Sequence, residues 1–392
     1  MASTRKKGEG TFADRLRSWY AALFGKSAEK LQLDEQGKKL EEEGRRIQQG
    51  LAEDIEDYLL SLRRDTAEDL EDYLLDQQIT AFYWRERSLQ IPLIVHSSPV
   101  PPLLESGKVI KGRYDSYMVQ DCISQTWLSR VYKAKSQGLG IDMVVKQYLK
   151  DESVHDFSRE SFGHNRLYYS SGHRNIIPAY EFLVTEDDDR LGVFPYIEGE
   201  TLDKIAAREG QFSLKQVLPL VLPVCDALEH THNLGIVHRD VKPHNIIISA
   251  SAEVTKDLLE SYPDAVRPML FDFGLSWHDD ISGFDRLDSI YGTLSHMAPE
   301  GFDLGRTPNR ARDNYALGVV LYRLLAGRFP FNGRTDYDLV QAHRYAPVPD
   351  ITQFNSTVTA DVKYIVDKTL AKDPEQRYHT MAALKQDLEA LQ

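Results

Sequence analysis

Between Tyr114 and Leu149 the apolar residues fall in short alternating runs, at Tyr114–Gln120, Arg130–Ala134 and Met143–Leu149. From Leu202 onward they return every three or four residues instead. A period of two buries one face of a strand, and a period near 3.6 buries one stripe of a helix. A chain that changes period once in this way divides into a strand-rich part and a helix-rich part. The expectation is an α+β architecture with two lobes of one catalytic unit.

What precedes this region is different in kind. Residues 1–30 are mildly basic and hold an amphipathic stretch in which Phe12, Leu16, Trp19, Leu23 and Phe24 share a helical face. Such a face packs on the protein's own body, or on a partner or membrane surface through residues 11–25. Residues 31–90 read as acidic helix with an internal repeat. Ala52-Glu-Asp-Ile-Glu-Asp-Tyr-Leu-Leu60 returns as Ala67-Glu-Asp-Leu-Glu-Asp-Tyr-Leu-Leu75. The repeat length does not match a heptad, which disfavours a long left-handed coiled coil. A helical hairpin, a helix lying on the following domain, a helical partner and self-association all remain open. Residues 91–107 carry Pro92, Pro99, Pro101 and Pro102 and read as a linker or extended strap. The rest, 108–392, is the catalytic region.

The net charge of -13 lacks the basic footprint of a nucleic-acid binder. Two cysteines cannot form a disulfide framework, and no apolar run reaches the roughly 18 residues that cross a bilayer. With no signal-peptide pattern at the N-terminus, the expected location is the cytoplasm.

The chemistry is concentrated in His238-Arg-Asp-Val-Lys-Pro-His-Asn245, followed by Asp272-Phe-Gly274 and Ala298-Pro-Glu300. An Asp with an Asn five residues later suits phosphoryl transfer. Asp240 can accept the proton of an attacking hydroxyl, Lys242 can neutralise the moving phosphoryl group, and Asn245 and Asp272 can hold Mg²⁺. Three such motifs in this order are a far stronger signal than any one of them.

On these motifs the region from about Lys108 to Gln392 resembles the eukaryotic-type (Hanks-type) serine/threonine protein kinases. The resemblance implies a small β-rich lobe over a larger helical lobe, with ATP and Mg²⁺ in the cleft between them and protein substrates. Lys146, in Met143-Val-Val-Lys146, then holds the α- and β-phosphates and pairs with an acid, for which Glu160 is the best candidate. Phe194 falls at the gatekeeper position, Ile197 supplies a hinge N–H, and Val131 and Ile247 line the adenine site. Asp313 braces the catalytic loop, and Arg377 pairs with Glu300. Lys242 with Gly292-Thr293 points to serine/threonine specificity. Arg239 offers a phosphate pocket for the activation loop, where Ser289 and Ser282 are candidate phosphosites.

One stretch departs from the family. The three positions of its glycine-rich loop fall on Ser124, Thr126 and Ser129, although backbone approaching phosphate favours glycine. Val144 also replaces a usual alanine in the adenine pocket. Two readings follow: an active kinase with an atypical loop, or a pseudokinase acting as scaffold or nucleotide sensor.

Overall fold

The computed structural model describes residues 103–126, 129–149, 151–169, 172–278, 292–303 and 307–391. The segments 1–30 and 31–90, most of the proline-rich stretch, Trp127, Ser282 and Ser289 lie outside these residues.

Six antiparallel strands form the first lobe: β1 (Val109–Lys111), β2 (Ser116–Gln125), β3 (Ser129–Ser136), β4 (Asp142–Tyr148), β5 (Glu181–Val184) and β6 (Arg190–Pro195). Their order in the sheet is β1-β2-β3-β4-β6-β5. The alternation read from sequence sets the faces. Tyr132 and Ala134 of β3 point with Met143 and Val145 of β4 into a core shared with Tyr117, Leu191 and Val193. The opposite face carries Val131 and Lys146, which sit directly across from each other. The sheet curls because β2 is irregular at two places, between Val119 and Asp121 and between Cys122 and Ser124. Leu104, near the end of the proline-rich stretch, is buried in the same core, and its N–H donates to the Tyr132 hydroxyl at 3.2 Å. One helix, α1 (Asp151–Tyr169), crosses behind β4.

The second lobe is mainly helical. It contains β7 (Glu200–Thr201), α2 (Leu202–Glu209), α3 (Leu214–Asn233), β8 (Ile236–Val237), β9 (Ile246–Ala250), α4 (Lys256–Ser261), β10 (Val266–Leu270) and β11 (Trp277–His278). It continues with α5 (Ala311–Ala326), α6 (Asp336–Tyr345), α7 (Ala360–Thr369) and α8 (Met381–Glu389). Ser213 and Gln216 form a reciprocal capping box at the start of α3. Pro219 and Pro223 stand inside this helix, where proline ordinarily breaks it. The helix persists because its other side, including Val217, Leu220, Val221, Val224 and Leu228, is buried in the lobe's core. Between β9 and β10, Val254 and Leu259 of the connection are buried in that core.

Two buried histidines give the fold an acid sensitivity. Burial, helped by the charge of Lys146, pushes the His164 pKa down to about 3. Burial, helped by Lys372, does the same for His343, whose Nδ1 lies 2.9 Å from the Tyr315 hydroxyl. In an unfolded chain both titrate near about 6.5. The unfolded state therefore binds more protons between these values, and stability falls as pH drops from about 6.5 toward 3. By pH 5 each histidine is expected to cost about 2 kcal/mol. Urea unfolding at pH 7 and pH 5 checks this: H343L should shrink the difference between the two pH values by about that amount. An unchanged difference would mean that His343 does not stay neutral in the fold.

Candidate active site

The loop between β8 and β9 is fixed from below by α5. Asp313, in the first turn of that helix, is fully buried. Its Oδ2 accepts from the His238 N–H and its Oδ1 from the Arg239 N–H, both at 2.8 Å, and His232 Nε2 lies 2.7 Å from Oδ2. Burial opposes the charge on Asp313, but these partners outweigh it and hold the carboxyl below its ordinary pKa. The two N–H bonds hold Arg239 at φ 66°, a left-handed conformation that costs on the order of 1–3 kcal/mol for a side-chain-bearing residue. The strain turns the next residue, Asp240, into the cleft side of the loop.

Around Asp240 three expected residues converge. Thr293 donates to Asp240 Oδ1 through its N–H at 3.1 Å and its hydroxyl at 2.7 Å. Lys242 Nζ donates to the Thr293 hydroxyl at 2.8 Å and lies 3.3 Å from Asp240 Oδ2. Asn245 Nδ2 donates to Asp240 Oδ2 at 2.9 Å and to the Asp240 carbonyl at 2.8 Å. The approach of Thr293 depends on Gly292, at φ 117°, where a Cβ would stand 2.7 Å from the Arg239 carbonyl oxygen.

Lys146 of β4 reaches between two carboxylates. Its Nζ donates to Glu160 of α1 at 2.9 Å and to Asp272 at 2.7 Å. Burial disfavours the ammonium, but Asp272 and Glu160 outweigh it, so Lys146 stays charged with its pKa raised. Burial likewise disfavours the Asp272 carboxylate, yet the charge and hydrogen bond of Lys146 hold its pKa down to about 2. Asp272 has φ 64°, the second strained position of the site. Its strand is tied to the catalytic loop through Phe271, whose N–H donates to the Asn245 carbonyl at 3.1 Å.

Beside this chain of charges lies a small apolar cluster. Phe194, Ile177 and Met269 are its buried members, and Val144, Ile197, Ile247 and Phe271 pack against it. The expected adenine-site residues are thus gathered where the two lobes meet, with half-buried Val131 across the sheet from Lys146. Ser124 of β2 stands across from Val131, and Ser129 of β3 stands across from Tyr148. The lower lobe is closed by Arg377, which meets Glu300 through two bonds of 2.7 and 2.8 Å.

Residues 118–388 match the family model described as the protein kinase domain. The chain belongs to the protein kinase family. It is 31% identical over 287 residues to the serine/threonine-protein kinase PrkC of Bacillus subtilis, covering 72% of this chain and 41% of that protein. It is 32% identical over 286 residues to the serine/threonine-protein kinase PknB of Mycobacterium leprae, covering 70% of this chain and 42% of that protein. PknB of Mycobacterium tuberculosis is 31% identical over 285 residues, with shares of 70% and 42%. The chain spans about two-fifths of the length of these relatives. Among the described residues, no helix is long and apolar enough to cross a membrane.

Several contacts in this site escaped the sequence reading. Tyr148 donates to Glu160 Oε2. Its position two residues after Lys146 on a strand, hence on the same face, was a usable signal. Arg159 Nε donates to the Gly274 carbonyl at 3.1 Å, tying α1 to the segment after Asp272, and His164 packs its ring on Phe273. Arg159 carries no sequence signal for this role, since its partner is a backbone atom. Arg239, expected to face a phosphate, donates to the Leu275 and Ser276 carbonyls.

Proposed function

We propose that this chain is a serine/threonine protein kinase that transfers the γ-phosphoryl group of ATP to protein hydroxyls. The observation that carries this reading is the contact of Asp240 and Lys242 with one Thr293 hydroxyl, beside the Lys146–Glu160–Asp272 chain.

The residues fit ATP with Mg²⁺. Mg²⁺ ordinarily takes one or two protein oxygens and completes its shell with phosphates and water. Asn245 has its amide nitrogen turned to Asp240, which leaves its carbonyl oxygen on the far side of the amide, and Asp272 is held ionised. Asn245 and Asp272 would hold the ion, which when bound neutralises charge on the phosphates. Lys146, fixed by Glu160, would hold the α- and β-phosphates. The cluster of Phe194, Val144, Ile197 and Ile247, with Val131, would take the adenine. Asp240 would accept the proton of the substrate hydroxyl, oriented by Thr293 and Asn245, while Lys242 would stabilise the charge that moves to the transferred group. Thr293 stands where a short aliphatic hydroxyl reaches Asp240, which supports serine and threonine as acceptors.

In this reading residues 31–90 act as a regulatory or interaction region through their acidic repeat, and Ser289 and Ser282 are phosphosites. Incubating the purified full chain with labelled ATP and Mg²⁺ should label the chain itself and generic protein substrates at serine and threonine. Nucleotide binding without any transfer would replace this reading with that of a pseudokinase. A chain lacking residues 1–90 should differ from the full one in activity or in the number of copies per assembly in solution. Equal values for both would remove the regulatory role from that region.

A further inference from the structure

Thr126 and Ser129, at the described ends of the β2–β3 connection, bond to each other's amides. Thr126 N–H donates to the Ser129 carbonyl at 2.8 Å, and the Ser129 N–H donates to Thr126 Oγ1 at 3.1 Å. The same Thr126 hydroxyl lies 3.2 Å from the Ser129 carbonyl oxygen and 3.4 Å from Ser129 Oγ. One side-chain oxygen therefore closes the base of the hairpin from the inside.

The position of these groups gives the contact its meaning. Ser129 is two residues before Val131, and Val131 is the cross-strand partner of Lys146. Residues two apart on a strand share a face and lie about 6.6 Å apart. Ser129 itself stands across from Tyr148, whose ring centre lies 5.1 Å from Lys146 Nζ, the cation that the kinase reading assigns to the phosphates. An N–H at this place is the natural donor to a phosphate oxygen, and in this chain a hydroxyl already accepts from it. Glycine at position 126 has no oxygen to offer, so the substitution adds an intramolecular competitor as well as a Cβ.

We propose that Thr126 is a positioning residue whose hydroxyl competes with nucleotide phosphate for the Ser129 amide, so that binding a nucleoside polyphosphate must first open this hydrogen bond. The inference rests on the kinase reading of the cleft. It predicts a nucleotide affinity that is limited by a removable hydroxyl. The bond is solvent-exposed, so its effect is modest, about a twofold to tenfold change in an equilibrium constant.

Calorimetric titration of the full chain with adenosine, ADP and ATP, each with Mg²⁺, tests this in wild type, T126A and T126S. T126A should bind ADP and ATP about two- to tenfold more tightly than wild type and adenosine equally well. T126S keeps the oxygen and should return all three affinities to the wild-type values. Unchanged or weaker ATP binding by T126A would overturn the proposal. So would an equal gain for adenosine, which has no phosphate to compete. Unchanged adenosine binding also shows that the variant is folded. If wild type bound none of the three ligands, the kinase reading itself would fail, an outcome distinct from the others.

Discussion

Replacing Asp240 with asparagine should lower phosphoryl transfer by about 10²–10⁴-fold while leaving ATP binding nearly unchanged. The asymmetry follows from where Asp240 sits. Its carboxylate is hydrogen-bonded to Thr293 and Asn245 and faces Lys242, whereas the nucleotide is assigned to Lys146, Asp272 and the apolar cluster around Phe194. An asparagine side chain is nearly isosteric and keeps one oxygen for Thr293, but it cannot take a proton from an attacking hydroxyl. Labelled-ATP transfer and ATP calorimetry on the same preparation separate the two quantities. A variant with both transfer and binding intact would show that proton acceptance by Asp240 is not used. A variant that loses binding as well would show that Asp240 mainly supports the architecture of the cleft.

Replacing Arg377 with methionine should cost the second lobe about 3–5 kcal/mol. The guanidinium is fully buried and meets the Glu300 carboxylate end-on through both terminal nitrogens, and it also donates to the Ala371, Ala311 and Lys372 carbonyls. Its plane lies over the Tyr315 ring at 4.8 Å. Methionine fills most of the volume but leaves the buried Glu300 carboxyl group without its guanidinium partner. Total stability of a domain is of order 5–15 kcal/mol, so the loss is a large fraction of it. Urea midpoints for wild type, R377M and the double variant R377M/E300M give the answer. The double variant should recover much of the loss, because removing both charges removes the buried unpaired one. If R377M alone left the midpoint in place, Glu300 must find another partner or become protonated.

The residues of the site differed in how readily sequence revealed them. Asp240, Lys242 and Asn245 lie within six positions of one another, and local chain geometry is enough to bring them together. Glu160, Thr293 and Arg377 were legible as candidates because a resemblance supplied the order of motifs, but their distances come from packing. Tyr148 was missed although strand alternation placed it beside Lys146. Arg159 and the Leu275 and Ser276 carbonyls that hold Arg239 gave no signal, since a side chain seeking a backbone oxygen leaves no pattern in residue type.

By itself the sequence determined the two periodicities, and with them the strand-rich and helix-rich lobes, since burial of alternate residues in one and of a helical stripe in the other follows from local geometry. It also determined which reactive groups are present and that no glycine stands at positions 124, 126 or 129. Only the tertiary structure decided which groups meet across long separations: Lys146 with Asp272, His238 and Arg239 with Asp313, and Glu300 with Arg377. It alone brought the Thr126 hydroxyl onto the Ser129 amide, a contact that residue type does not reveal. The physical reason is the same in each case. Period and composition act through neighbours along the chain, whereas a hydrogen bond or an ion pair depends on distances that exist only after the whole core has packed.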